Sequence, residues 1–160
     1  MSKINLEKLA EFLVKAKKNT YAGNCAEVES QRPNFKELEY KEGNFEYRDS
    51  YTGFFLAPGQ EVARFKGNPI WVMSYSGGMR EAHRDDKKFA HEVFNFLKKA
   101  LSNVTKEIPF RGPERFDEDN FTYLNFIEGN IEDFTGLETI SYTKEEVFRQ
   151  RYLGGLVKNK

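Results

Sequence analysis

The stretch Phe45-Glu46-Tyr47-Arg48-Asp49-Ser50-Tyr51-Thr52-Gly53 decides the fold, because its pattern is that of a half-buried strand. Residues two apart in a strand share a face, so Asp49 points the same way as three aromatic side chains. An unpaired carboxylate in such a place costs free energy or shifts its pKa upward. We therefore expect Asp49 to be paired, hydrated or exposed.

Strand and turn signals surround this stretch. One hairpin is predicted to join residues 35–41 to 45–51 through Glu42-Gly43-Asn44, and a second to join 61–66 to 69–76 through Gly67-Asn68. Residues 70–75 are apolar on both faces, which is typical of a central strand.

A second meander is predicted from residues 121–127, 131–134, 139–142 and 147–153. Its first turn is placed at Glu128-Gly129-Asn130, which repeats the chemistry of Glu42-Gly43-Asn44. Because the flanking residues of these two segments do not match, we infer no internal repeat.

Helical periodicity predicts helices over residues 5–18 and 84–101, with Asn5 and either Asp85 or Asp86 near their starts. Residues 20–33 are predicted to form a long loop, a length typical of binding or covering segments. Residues 109–116 are predicted to be a proline-punctuated connector.

The order helix, four strands, helix, then three or four strands indicates an α+β protein. We expect a curved, mostly antiparallel sheet of about seven or eight strands with an N-terminal and a central helix. The length of 160 residues predicts a single domain over 1–160.

Charge and cysteine content exclude several classes of function. The formal net charge is zero and the pI is about 6.8, so no direct nucleic-acid binding is expected. No apolar run is long enough for a membrane span. Cys25 is the single cysteine, which favours a reducing, cytoplasmic location.

Motifs for known chemistry are weak. His83 and His91 lack the neighbours of a zinc site, so we predict no metal and no cofactor, and no catalytic residue is assigned. Gly77-Gly78 matches neither a Walker loop nor a dinucleotide fingerprint.

A pocket on the aromatic strand faces is the main functional hypothesis. Its predicted lining is Tyr47, Asp49, Tyr51, Trp71 and Tyr75, with polar contacts from Glu27, Arg32 and Arg111. Asp49 is expected to lie near Trp71 or Tyr75 and within reach of an arginine, for which Arg32, Arg111 and Arg149 are the candidates.

Four ordered motifs carry a resemblance to a known family. They are Ala26-Glu27-Val28-Glu29-Ser30-x-Arg32-Pro33, Glu39-Tyr40-x-Glu42-Gly43-Asn44-Phe45-x-Tyr47-x-Asp49-Ser50-Tyr51-x-Gly53, Pro69-Ile70-Trp71-x-Met73-Ser74-Tyr75-x-Gly77 and Pro109-Phe110-Arg111-Gly112-Pro113. Over residues 6–155 the chain resembles a prokaryotic domain family of unknown function. That family occurs both free-standing and behind helix-turn-helix regions of proteins described as transcriptional regulators. The resemblance implies a sensing or partner-binding domain, although this chain has no basic recognition helix.

Three functions stay open on these grounds. The first is a small-molecule-binding or sensory domain with a cleft between the sheet and the 20–33 loop. The second is an enzyme using Asp49 or Glu27 as acid or base. The third is a structural module that forms a homodimer through a sheet edge or an aromatic face.

Overall fold

The computed structural model describes residues 4–158. The helices are α1 (Leu6–Lys18) and α2 (Lys87–Leu101), with a short 3-10 helix at Glu81–His83. The strands are β1 (Lys36–Glu42), β2 (Phe45–Tyr51), β3 (Gly59–Phe65), β4 (Asn68–Met79), β5 (Arg115–Glu118), β6 (Phe121–Asn130), β7 (Asp133–Tyr142) and β8 (Glu145–Leu156). The predicted α+β class is confirmed.

The strands form one open sheet in the order β1-β2-β3-β4-β8-β7-β6-β5, and every neighbouring pair is antiparallel. The order of elements repeats along the chain: a helix followed by a four-stranded meander occurs twice. The last strands of the two passes, β4 and β8, pair at the centre of the sheet. We call residues 6–79 the first half and residues 87–156 the second half.

The two halves correspond residue by residue along their strands. Glu42-Gly43-Asn44-Phe45-Glu46-Tyr47-Arg48-Asp49 matches Glu118-Asp119-Asn120-Phe121-Thr122-Tyr123-Leu124-Asn125 across equivalent hairpins. Tyr75-Ser76-Gly77-Gly78 in β4 matches Tyr152-Leu153-Gly154-Gly155 in β8. A register shift also occurs after Ala63 in β3 and after its counterpart Ile140 in β7. The chain therefore contains an internal repeat, contrary to the expectation from sequence.

The expected turn at Glu128-Gly129-Asn130 is wrong, because these residues belong to β6 and the turn follows at residues 131–132. Gly129 has a φ of +94° and corresponds to Gly53, whose φ is +93°. A Cβ added to either glycine would lie 2.1 Å from a backbone oxygen. Glycine is therefore needed at this bend in both halves.

Two other boundaries differ from the prediction. Residues 131–134 and 139–142 were expected as separate strands, but residues 133–134 and all of 139–142 lie in the continuous strand β7. The end of the predicted connector overlaps the start of β5, a four-residue edge strand whose charged sequence gives little strand signal.

Both helices lie on the same face of the sheet, which we call the inner face. Asn5 and Asp86 cap α1 and α2, as expected. The buried stripe of α1 packs with Tyr47 and Trp71. The matching stripe of α2 packs with Tyr123 and Phe148. Each helix thus covers an aromatic core, and the core beneath α1 also includes Phe134 and Tyr152 of the second half.

Candidate functional site

A cluster of charged side chains lies buried on the inner face. Lys17 of α1 forms an ion pair with Glu61 of β3, and both side chains are almost fully buried. Arg111 lies between the halves, with Nη2 2.8 Å from Glu138 and Nη1 3.7 Å from Glu61. Because buried charges are stable only when paired, this cluster joins α1, the connector before β5 and both halves of the sheet.

Glu138 is the most fully bonded carboxylate of the cluster. Arg111 donates to it from Nε at 3.0 Å and Gln150 donates from Nε2 at 2.8 Å. The Tyr123 hydroxyl donates to its other oxygen at 2.7 Å. The polar groups of the second half therefore satisfy one another within the protein.

Asp49 has a different environment. It is 4% exposed and accepts a hydrogen bond from the Tyr75 hydroxyl at 2.7 Å. Among the described residues it has no ion-pair partner within 4.0 Å. Burial and the neighbouring charge of Glu61 raise the pKa of Asp49 to about 7, while Tyr75, Arg111 and Lys17 act in the opposite direction. Near neutral pH, Asp49 can therefore both give and take a proton.

Asp49 and Tyr75 face a cavity of about 180 Å³. It lies between α2, the inner face of β2, β4 and β8, and the segment after Tyr51. The lining residues are Tyr21, Lys36, Asp49, Tyr51, Gly53, Phe54, Ala57, Tyr75, Gly77, Gly78, His91, Phe94, Asn95, Leu97, Lys98, Arg111, Phe148 and Gln150. Six of these residues are phenylalanine or tyrosine and seven are charged or polar, so the cavity offers both aromatic surface and hydrogen-bonding groups to a small molecule.

Four of the eight predicted site residues line this cavity, namely Asp49, Tyr51, Tyr75 and Arg111. The expected approach of Asp49 to Tyr75 is confirmed. Arg111 lines the same cavity but forms its ion pairs with Glu138 and Glu61.

Tyr47 and Trp71 lie deeper in the first half, and the Lys17 ammonium is 5.8 Å and 5.7 Å from their ring centroids. Tyr47 reaches a smaller void of about 20 Å³ beside Asp49. The indole Nε1 of Trp71 is buried without a hydrogen-bond partner among the described residues. Neither side chain lines the cavity.

Glu27 and Arg32 do not line the cavity. Glu27 lies 3.7 Å from Lys36, one of the cavity residues, and both side chains are more than half exposed. Arg32 donates to Gln60 at 2.9 Å and lies over the ring of Phe35. Arg149, a candidate partner of Asp49, forms an ion pair with Glu146 instead.

Sequence reasoning missed several residues of this region. Lys17 and Glu61 are 44 positions apart, so no local pattern links them. Lys17 lies one helical turn after the buried Leu13 in α1, and Glu61 lies two positions before the buried Ala63 in β3. Both positions therefore had a face assignment that could have indicated burial.

The second half has a counterpart of the cavity. It is an open groove of about 480 Å³ in which Asn125 and Ile127 take the places of Asp49 and Tyr51. The Asn125 side chain donates to the Gly112 carbonyl at 3.0 Å and accepts from the Tyr152 hydroxyl at 2.7 Å. The matching position is therefore neutral, and both its amide nitrogen and its amide oxygen are hydrogen-bonded within the protein.

The fold and this cavity define a class of protein, an α+β domain of two similar halves with a polar pocket in the first. The chain belongs to the family described as a domain of unknown function (DUF5680), which matches residues 49–157. The comparisons with curated proteins and with solved structures gave no match.

Over residues 4–158, neither helix has the length and apolar character required to cross a membrane. The same residues include no cluster of three or more histidine, cysteine, aspartate or glutamate side chains suited to a metal ion.

Proposed function

We propose that this protein binds a small organic molecule in the cavity, with Asp49 and Tyr75 as its polar floor. One observation carries the proposal, which is that the Asp49 carboxyl faces the cavity without an ion-pair partner among the described residues. A buried carboxyl that has one hydrogen bond and no ion pair lowers stability, so a ligand that pairs with it gives it a function.

The second half supports this proposal by contrast. There the equivalent position carries an amide whose nitrogen and oxygen each form a hydrogen bond inside the protein. The same scaffold can therefore be completed without an acid, and the acid in the first half is not required by the fold.

Matched variants can test the proposal. A panel of small carboxylic acids, amines, sugars and nucleobases is screened by differential scanning fluorimetry and by NMR chemical shifts. Compounds that bind the wild type should bind Tyr152→Phe equally and Tyr75→Phe more weakly, because only Tyr75 lines the cavity. Equal binding to both variants, or no binding by any class of compound, contradicts the proposal.

A second candidate function is an enzyme with Asp49 as general acid or base. A pKa of about 7 is suited to proton transfer at neutral pH, and the cavity would exclude bulk water from the reacting group. Asp49 is better suited to this role than Glu27, which is exposed and lies near Lys36. Compounds that bind would be incubated with the protein and followed by NMR. A product formed by the wild type but not by Asp49→Asn supports the enzyme, and unchanged compounds reject it.

A sensory or regulatory use of the cavity is the form of this proposal that agrees with the resemblance to domains behind helix-turn-helix regions.

We also propose that the two halves fold as one domain, because β4 and β8 pair over nine positions at the centre of the sheet. Denaturant unfolding should then give coincident transitions for the Trp71 fluorescence of the first half and for far-ultraviolet circular dichroism.

A further inference from the structure

Two lysines lie on the more exposed side of the cavity. Lys36 begins β1 beside Tyr51, and its only carboxylate neighbour among the described residues is Glu27 at 3.7 Å. Lys98 of α2 donates to the Asn24 side chain at 2.7 Å and has no carboxylate within 4.0 Å in the described part of the chain. The cavity therefore has an incompletely neutralised positive rim.

The two ammonium groups affect each other. Burial, and then the charge of Lys36, lower the pKa of Lys98 below its usual value. An anion placed between the two lysines would remove this repulsion and form charge-assisted hydrogen bonds with both.

Beneath this rim the walls are aromatic. Their rings belong to Tyr21, Tyr51, Phe54, Phe94 and Phe148. The hydroxyls of Tyr21 and Tyr51 make no hydrogen bond to another described side chain, and burial raises the pKa of Tyr51 to about 12, so its hydroxyl stays protonated. A volume of about 180 Å³ is comparable to the ~150 Å³ that accommodates one benzene ring.

We propose that the ligand is a small aromatic carboxylic acid, whose carboxylate binds between Lys36 and Lys98 and whose polar substituent points to Asp49. This inference rests on the proposed function and names its ligand class. The ring fills the aromatic walls, and a hydroxyl at the far end meets the carboxyl of Asp49 and the hydroxyl of Tyr51.

Isothermal titration calorimetry with three probes tests the ligand class. The probes are para-hydroxybenzoate, its neutral analogue para-hydroxybenzamide, and benzoate, which lacks the distal hydroxyl. We expect para-hydroxybenzoate to bind about tenfold or more tightly than either analogue, because each analogue loses one set of hydrogen bonds.

The lysines are tested with a matched pair of variants on the same helix. Lys98→Met keeps the aliphatic stem but removes the charge, and should weaken para-hydroxybenzoate about tenfold without changing the affinity for the amide. Lys99→Met is the control, because Lys99 is exposed and forms its ion pair with Glu118 outside the cavity. Circular dichroism of each variant verifies the fold.

The outcomes separate this inference from the proposed function. If the amide binds as well as the acid, or if Lys98→Met keeps full affinity for the acid, the ligand carboxylate does not bind between the two lysines. The proposal that a small molecule binds in the cavity then still stands. If no probe binds at millimolar concentration, the aromatic acid is wrong, and the broader panel with Tyr75→Phe decides the proposed function separately.

Discussion

The two halves of this protein share a scaffold but differ in how their buried polar groups are completed. In the first half Tyr75 donates to an acid, Asp49, and in the second Tyr152 donates to an amide, Asn125, each at 2.7 Å. The amide has a second bond to the Gly112 carbonyl, whereas the acid faces the cavity. The hydrogen-bonded tyrosine is thus part of the shared fold, and the acid is specific to the first half.

The buried cations show the same asymmetry. Lys17 in α1 corresponds to Leu101 in α2, so only the first half supplies a charge from its helix. Arg111, in the connector before β5, forms an ion pair with Glu138 of the second half and also approaches Glu61 of the first. With two cations facing Asp49, Glu61 and Glu138, the cluster is short of one positive charge when all three acids are ionised. A neutral Asp49 balances it.

The largest effect is expected from Arg111→Met, which removes the cation shared by the halves. It leaves Glu138 buried without an ion pair and should lower the free energy of unfolding by about 3–5 kcal/mol. Urea unfolding measures this loss. Arg115→Met is the control, because the Arg115–Asp117 pair is exposed and should contribute less than about 1 kcal/mol. Equal losses in both variants would contradict a structural link at Arg111.

Asp49→Asn gives the first half the amide that the second half has at Asn125, and it should change how stability depends on pH. The folded pKa of Asp49 is about 7, above its ordinary value of 3.8. The contribution of the Asp49 carboxyl to the free energy of unfolding is therefore fully present below about pH 4 and is lost as pH rises through about 7. Relative to the wild type, the variant should become more stable by a few kcal/mol over that range.

Unfolding curves collected across this pH range measure the difference. The groups facing Asp49 that also bear on its titration are Lys17, Tyr51, Glu61, Tyr75 and Arg111, all of which the variant retains. A constant difference between variant and wild type would mean that Asp49 does not titrate in this range.

The smallest effect is expected from the pair Tyr75→Phe and Tyr152→Phe. Each removes one buried hydrogen bond and should cost about 1 kcal/mol. The two losses should be similar, because Asp49 and Asn125 both border a space from which water can replace the lost donor. Only Tyr75→Phe should raise the pKa of Asp49, since the Tyr75 hydroxyl favours the ionised form. An unchanged pKa of Asp49 in Tyr75→Phe, or a raised one in Tyr152→Phe, would contradict this contrast.

Local patterns were sufficient to predict much of the first half. Alternation placed Tyr47 and Asp49 on one face of β2, and that strand has the expected bounds. The internal repeat was harder to recognise, because its matching positions are separated by unrelated residues and by connectors of unequal length. Glu118-Asp119-Asn120, the true counterpart of Glu42-Gly43-Asn44, has an aspartate at the turn position with a φ of +52°. Glu128-Gly129-Asn130 has the same three residues as Glu42-Gly43-Asn44, but it lies within β6 and not at a turn.

The site was predicted only in part, for a related reason. Asp49 was singled out because a carboxylate on an aromatic face must be explained locally. Its environment depends on contacts from α1, α2 and the connector, which no strand pattern encodes. The lining from α2, such as Phe94 and Lys98, became visible only when the helix was placed over the sheet.

The central claim is that Asp49 is an ionisable acid held without an ion-pair partner beside the cavity. The most direct measurement is an NMR titration of the aspartate carboxyl carbons, with the Asp49 signal assigned from its loss in Asp49→Asn. We predict a midpoint near pH 7 for the Asp49 carboxyl. A midpoint in the ordinary range of aspartate, near 3.8, would show that the carboxyl is hydrated or paired in solution and would contradict the claim.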